Sequence, residues 1–138
     1  MKLLVVDIQK GITDDRLYDF DNFIRNCQRL ISTARNNNVE VIYVQHDDGP
    51  GTGFSIGDEE FEISELVEPL VNEKRFVKEV NSCFCNKELE KYLWDKNEDE
   101  LMIIGLQTNF CIDATVKSAF ERGFRVIVPK RANSTFDN

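Results

Sequence analysis

Three residues of this 138-residue chain have the chemical types needed to open an acyl bond. Asp7 closes the apolar run Leu3-Leu4-Val5-Val6. Lys78 stands among Phe76, Val77 and Val80. Cys111 lies in "GLQTNFCIDATVKSAFERG", directly after the apolar run Leu101-Met102-Ile103-Ile104. A thiol close to a helix N-terminus and to an ammonium is biased toward the thiolate. A carboxylate beside it can take a proton and return it. Together the three types supply a nucleophile, a base and a charge that tunes both. Singly each has a plain structural use: a cap or turn for Asp7, a solvated edge for Lys78, a small core residue for Cys111. They lie far apart in sequence, so only the fold can make them one site.

The remaining chemistry is narrow. His46 is the only histidine. A site built on two histidines is therefore excluded, and so is a Ser-His or Cys-His pair unless His46 is its base. Cys83 and Cys85 are one residue apart, which is poor spacing for a zinc knuckle, and no Cys-x-x-Cys is present for thiol redox work. The loop "DDGPGTGFSIGDEE" lacks the Lys-Ser/Thr of a phosphate-binding loop and does not follow the first strand. It reads as a surface loop.

The elements that must position these residues alternate in type. "KLLVVD" reads as a buried strand over Lys2 to Asp7. "DFDNFIRNCQRLISTARNNN" reads as a helix capped by Asp19 or Asp21, with Phe23, Cys27, Leu30, Ile31 and Ala34 on one face. Val39 to Gln45 is a second apolar strand, and "EISELVEPL" a short turn or extended piece. "RFVKEV" is a third strand, "NKELEKYLWDKN" a helix with Asn86 as cap and Leu89, Leu93 and Trp94 inward, and "DELMIIG" a fourth strand. A helix follows over Asn109 to Arg122, with Ile112, Val116, Ala119 and Phe120 inward, and Gly123 ends it. "FRVIVP" is a fifth strand. Strands joined by helices predict an α/β fold with a central parallel sheet. Ligands bind beyond the carboxyl ends of such strands. That rule selects Asp7, His46, Lys78 or Glu79, and the Gly105–Cys111 loop.

The length fits one domain, 1–138. The net charge of −8 argues against a nucleic-acid or membrane surface. No apolar run approaches the roughly 20 residues of a membrane span, and Asp7 interrupts the short apolar start. A cytoplasmic protein with reduced thiols is the expectation.

Three blocks, in order, resemble the isochorismatase-like cysteine hydrolases, the superfamily of nicotinamidases and N-carbamoyl amidases. "LLVVDIQKG" is similar to the opening strand with its Asp-x-Gln. "VKEVNSCF" is similar to the lysine block. "IIGLQTNFCIDATVKSAFERGFRVIV" is similar to the nucleophile block, and is the most specific of the three. The resemblance implies a three-layer, Rossmann-like αβα fold. It implies Asp7 as general base, Lys78 as catalytic lysine and Cys111 as nucleophile. It also implies a cis Leu106–Gln107 peptide, with the N–H groups of Gln107 and Cys111 as oxyanion hole. Gln9, His46 and Phe110 are the expected substrate contacts. The implied reaction is hydrolysis of a C–N bond in a small molecule through a thioester, by a homodimer or larger homo-oligomer.

Departures from the pattern carry expectations too. One histidine cannot complete the nicotinamidase metal site, so no metal and no cofactor are expected. Arg131-Ala132 stands where Asp-Ala is usual. The chain ends at Asn138, where related chains continue into further helices and a last strand; a C-terminal truncation is the expectation. Two other functions compete with the hydrolase: an inactive binding or assembly module on the same fold, and a thiol redox protein using Cys111 with Cys83 or Cys85.

Overall fold

The computed structural model describes residues 1–95 and 98–136. Its strands are β1 (Lys2–Val6), β2 (Glu40–His46), β3 (Lys74–Lys78), β4 (Glu100–Leu106), β5 (Arg125–Ile127) and β6 (Asn133–Ser134). Its helices are α1 (Phe20–Asn36), α2 (Lys87–Trp94) and α3 (Asp113–Glu121). The strands form one parallel sheet in the order β3-β2-β1-β4-β5. β6 also pairs with β4, through Gly105–Asn133 and Leu106–Ser134, on the flank that β5 occupies lower down.

The side-chain period of two divides the core between the two faces of the sheet. Leu3 and Val5 of β1 point to the face covered by α1, where Phe23, Ile24, Cys27, Ile31 and Ala34 meet them. Leu4 and Val6 point to the other face, against Leu89 and Leu93 of α2 and Ala119 of α3. β1 is buried along its whole length because both faces are covered. The result is the central parallel sheet that the strand and helix pattern predicts, in the three layers, helix–sheet–helix, that the resemblance implies.

Local signals hold at most element ends. Asn86 caps α2, its side chain accepting from the N–H of Leu89, and its amide donates to the carbonyl of Val77 at the end of β3. Gly123, with φ of 95°, closes α3. Asp19 precedes α1 in a left-handed conformation without a side-chain cap bond. The predicted tail of α2 at Lys96 and Asn97 lies outside the described residues.

Phe120 differs from its predicted inward place: it is exposed. A π-helical turn over Thr108–Ile112 precedes α3 and shifts its phase. The polar Thr115, fully buried, takes an inward position and accepts from the N–H of Cys83. An apolar-only pattern skips that residue and recruits Phe120 in its place.

The order β3-β2-β1-β4-β5 reverses direction between β1 and β4, which opens a crevice above their carboxyl ends. Gly105 sits at this reversal, opposite Val6, with φ of 127°. A Cβ there would lie 2.0 Å from the Val6 carbonyl oxygen. Gly105→Ala is therefore expected to destabilise the protein by at least about 3 kcal/mol, through backbone clash and a forbidden φ. Urea unfolding followed by circular dichroism measures it; a loss below about 1 kcal/mol would contradict this account.

Candidate active site

Each strand bordering the crevice ends on a residue of chemical interest. Asp7 follows β1 with φ of 56°, a left-handed conformation that Asp tolerates better than most residues. Its N–H is held by the carbonyl of Val44 at 2.9 Å. His46 and Lys78 end β2 and β3 and are register partners. Cys111 lies in the π-helical turn after β4. The Leu106–Gln107 peptide at the end of β4 is cis.

These side chains meet at one ammonium. Lys78 Nζ lies 3.0 Å from Asp7 Oδ2, 3.0 Å from His46 Nδ1, 3.2 Å from Cys111 Sγ and 3.1 Å from the Val80 carbonyl. It is wholly buried. An ammonium has three protons, so four acceptors share them. Asp7 Oδ1, also buried, accepts no hydrogen bond among the described residues.

Electrostatics departs from the sequence expectation at the sulfur. The Cys111 thiol is pushed up to about 11, first by burial and then by Asp7, and the counter-effect of Lys78 is smaller. At neutral pH the resting group is a thiol and not the expected thiolate. Burial raises Asp7 above the usual carboxylate range against the pull of Lys78, which makes it a better base than a surface Asp. Burial opposes the charge of Lys78 but is outweighed by Asp7 and the nearby thiols, so its affinity for the proton rises. Cys27 and Cys83, both pushed up to about 12 by burial, are core thiols, while Cys85 is exposed.

Above the ammonium lies a cavity of about 190 Å³. Asp7, His46, Gln107, Phe110 and Cys111, all named as candidates above, line it. Asp48, Phe54, Asn81 and Ile12 line it too, and sequence reasoning missed all four. Asn81 sits in the lysine block, with its Oδ1 3.7 Å from Cys111 Sγ. Asp48 and Phe54 belong to the Gly-rich loop and are tied together by the Asp48 N–H to Phe54 carbonyl bond at 2.9 Å.

Gln9 corrects a prediction. It is fully buried and does not line the cavity. Its amide nitrogen donates to the carbonyls of His46 and Phe61, and its Oε1 accepts from the N–H of His46. With both ends of the amide engaged by backbone, it clamps the end of β2 and does not reach for a ligand.

Asp7, His46 and Cys111 also form a donor set whose atoms lie within 4.8 Å of one another, the kind that can hold a metal ion. The Lys78 ammonium is within hydrogen-bond distance of all three. The set is thus already matched to a cation that the chain itself supplies.

A buried carboxylate, ammonium and thiol thus meet at the switch point of a parallel αβα sheet. Residues 2–138 match the Isochorismatase domain, and the chain belongs to that family of hydrolases. Among curated relatives, the isochorismatase family protein YddQ of Bacillus subtilis (strain 168) is 34% identical over 138 residues, covering 96% of this chain and 77% of that protein. The streptothricin hydrolase of Streptomyces noursei is 31% identical over 137 residues, covering 98% of this chain but only 54% of its own length. A solved isochorismatase family protein superposes with a TM-score of 0.90 at 27% identity, over 99% of this chain and 82% of that one. Among the described residues, no helix is long and apolar enough to cross a membrane.

The geometry assigns the histidine tautomer. Nδ1 faces an ammonium, which can only donate, so Nδ1 carries the lone pair. Nε2 then carries the proton and donates to Asp48 Oδ1 at 2.8 Å. Because the chain has a single histidine, long-range ¹H–¹⁵N correlation spectra at neutral pH will show one imidazole, expected in the Nε2–H form. Lys78→Met should mix the tautomers. A dominant Nδ1–H signal in the unaltered protein would contradict the arrangement.

Proposed function

We propose that this hydrolase cleaves a C–N, amide-type bond of a small molecule through a thioester on Cys111. The observation that carries the reading is the contact of one buried ammonium with both Asp7 Oδ2 and Cys111 Sγ at the floor of a cavity. Asp7 is the base, Lys78 the charge stabiliser and Cys111 the nucleophile. The reaction starts from the thiol. As the carbonyl carbon approaches, the Cys111 proton passes to Asp7, and the sulfur forms its bond to that carbon. The oxygen of the tetrahedral intermediate takes hydrogen bonds from the backbone N–H groups of Gln107 and Cys111, a role supported by the position of both residues in the cavity lining.

Collapse of the intermediate breaks the C–N bond, and the leaving amine takes the proton from Asp7. Water then attacks the thioester, giving one proton to Asp7. The C–S bond breaks, the thiol regains its proton, and a carboxylic acid leaves. A base more basic than a surface Asp suits both proton transfers. Lys78 keeps its proton throughout and offsets the negative charge that moves between Asp7 and sulfur. Phe54, Phe110 and Ile12 supply apolar walls that exclude water from a small ligand.

The variants separate these roles. Cys111→Ser should lower kcat by at least about a thousandfold with the fold retained, because serine is far harder to ionise. Lys78→Met should cost about a hundredfold or more in kcat. Asp7→Asn should remove turnover, since no base is left. The acid limb of the pH–rate profile should fall above pH 3.8, the ordinary Asp value, because Asp7 is raised and its protonation removes the base. Alkylation of Cys111 by iodoacetamide should keep rising from pH 7 to pH 10, because its thiol is pushed up to about 11. Full activity of Cys111→Ser on every amide tried, or a labelling rate already flat at pH 7, would sink the proposal.

Chelation gives a separate check. Since Lys78 already serves the Asp7, His46 and Cys111 donors, turnover should survive exhaustive EDTA treatment. Loss of activity that zinc or iron restores would overturn the metal-free mechanism.

A further inference from the structure

The charges around the cavity do not cancel, and the imbalance bears on substrate class. This step rests on the cysteine-hydrolase reading above and deepens it. Lys78 and Asp7 offset each other as an ion pair. His46 accepts from Lys78 at Nδ1 and donates from Nε2 to Asp48, so its ring is neutral in this arrangement. Asp48 therefore keeps a full negative charge at the cavity mouth, where it is about half exposed. Among the described residues, no Lys or Arg side chain lines the cavity. A carboxylate or phosphate entering it would meet Asp48 with no counter-charge, and the one nearby ammonium is buried beneath other acceptors.

Other features of the same cavity point toward a cationic ligand. The rings of Phe54 and Phe110 form its walls, and aromatic faces attract ammonium and guanidinium groups. The chain carries a net charge of −8, which draws cations toward it at low salt. Asp7 Oδ1, a buried acceptor on a cavity-lining residue, accepts no hydrogen bond among the described residues, so a donor is favoured over an acceptor at the cavity floor. The volume of about 190 Å³ limits the enclosed part of the ligand to a small group.

We propose that Asp48 is a specificity-determining residue, and that this hydrolase takes small amides bearing a positively charged group a few atoms from the scissile carbonyl, while rejecting anionic ones. The cation lies between the Asp48 carboxylate and the aromatic walls. The carbonyl lies over Cys111. The Asp48–Phe54 backbone bond holds the carboxylate and one wall in a fixed relation.

Labelling at Cys111 tests the charge selection without needing turnover. Trimethylammonioethyl and sulfonatoethyl methanethiosulfonate form the same kind of mixed disulfide but carry opposite charges. Their rates are read by peptide mapping at Cys111 and at the exposed Cys85, which serves as internal reference. The cation-to-anion rate ratio at Cys111 should exceed that at Cys85 by about threefold to tenfold at low ionic strength. Asp48→Asn should bring the two ratios together, and Asp48→Lys should reverse the preference. An equal or anion-favouring ratio at Cys111, or a ratio that Asp48→Asn leaves unchanged, overturns the proposal. Turnover of 3-aminopropanamide, butanamide and succinamate then compares cationic, neutral and anionic end groups on one short chain. Their kcat/KM should fall in that order, and the order should flatten in Asp48→Asn. Charge-selective labelling without any turnover supports the cationic cavity and counts against the amidase reading. Turnover indifferent to charge counts against the role of Asp48 and leaves the amidase reading standing.

Discussion

The buried ammonium of Lys78 is the interaction on which the rest of this site depends. It lies out of water, within hydrogen-bond distance of a carboxylate, an imidazole, a backbone carbonyl and a sulfur. Burying an unpaired charge costs several kcal/mol, of order 3–5 when one partner of a buried pair is removed. The fold must therefore deliver those acceptors together. They come from the ends of β1, β2 and β3 and from the turn after β4, so a correct sheet is the condition for a neutralised lysine. Stability and chemistry share one constraint.

That constraint explains features that lie far apart in the chain. Gln9 is spent wholly on backbone, because the end of β2 must hold His46 at a fixed height beside Lys78. Asp7 adopts a left-handed conformation, which turns the chain where β1 leaves the sheet. Asn86 serves both as the cap of α2 and as a tether for the end of β3. Gly105 lets β4 pass close to β1 at the point where their ends diverge. Each residue fixes the relative height of two strand ends. Error in that height would separate the ammonium from its partners.

The same centre governs how reactive the sulfur is. A helix N-terminus and an ammonium favour a thiolate, yet burial and the adjacent Asp7 outweigh them. The balance is one of distance and desolvation: Asp7 shares the ammonium with the sulfur, so the lysine charge is already largely spent. A resting thiol is protected from casual alkylation and oxidation. In the proposed mechanism it becomes a nucleophile only as its proton passes to a base already in place.

The sequence by itself determined the layered parallel sheet, because apolar runs with strand character alternate with amphipathic segments and few other folds bury both. The rule that ligands of such sheets collect at carboxyl ends narrowed the site to Asp7, His46, Lys78 or Glu79, and the Gly105–Cys111 loop. The family resemblance in three blocks agreed with that placement. Other features were decided only by tertiary structure. Phe120 points outward because a π-helical turn shifts the phase of α3 and a polar Thr115 takes the inward place, and neither is written in an apolar pattern. Gln9 turns away from the cavity because its partners lie in two other segments. The state of the Cys111 thiol depends on burial and on a carboxylate distant in sequence. The cavity wall of Asp48 and Phe54 exists only once a glycine-rich loop has folded over the crevice. Spacing along a chain reports local periodicity, whereas charge balance and burial are sums over neighbours that only the folded chain brings together.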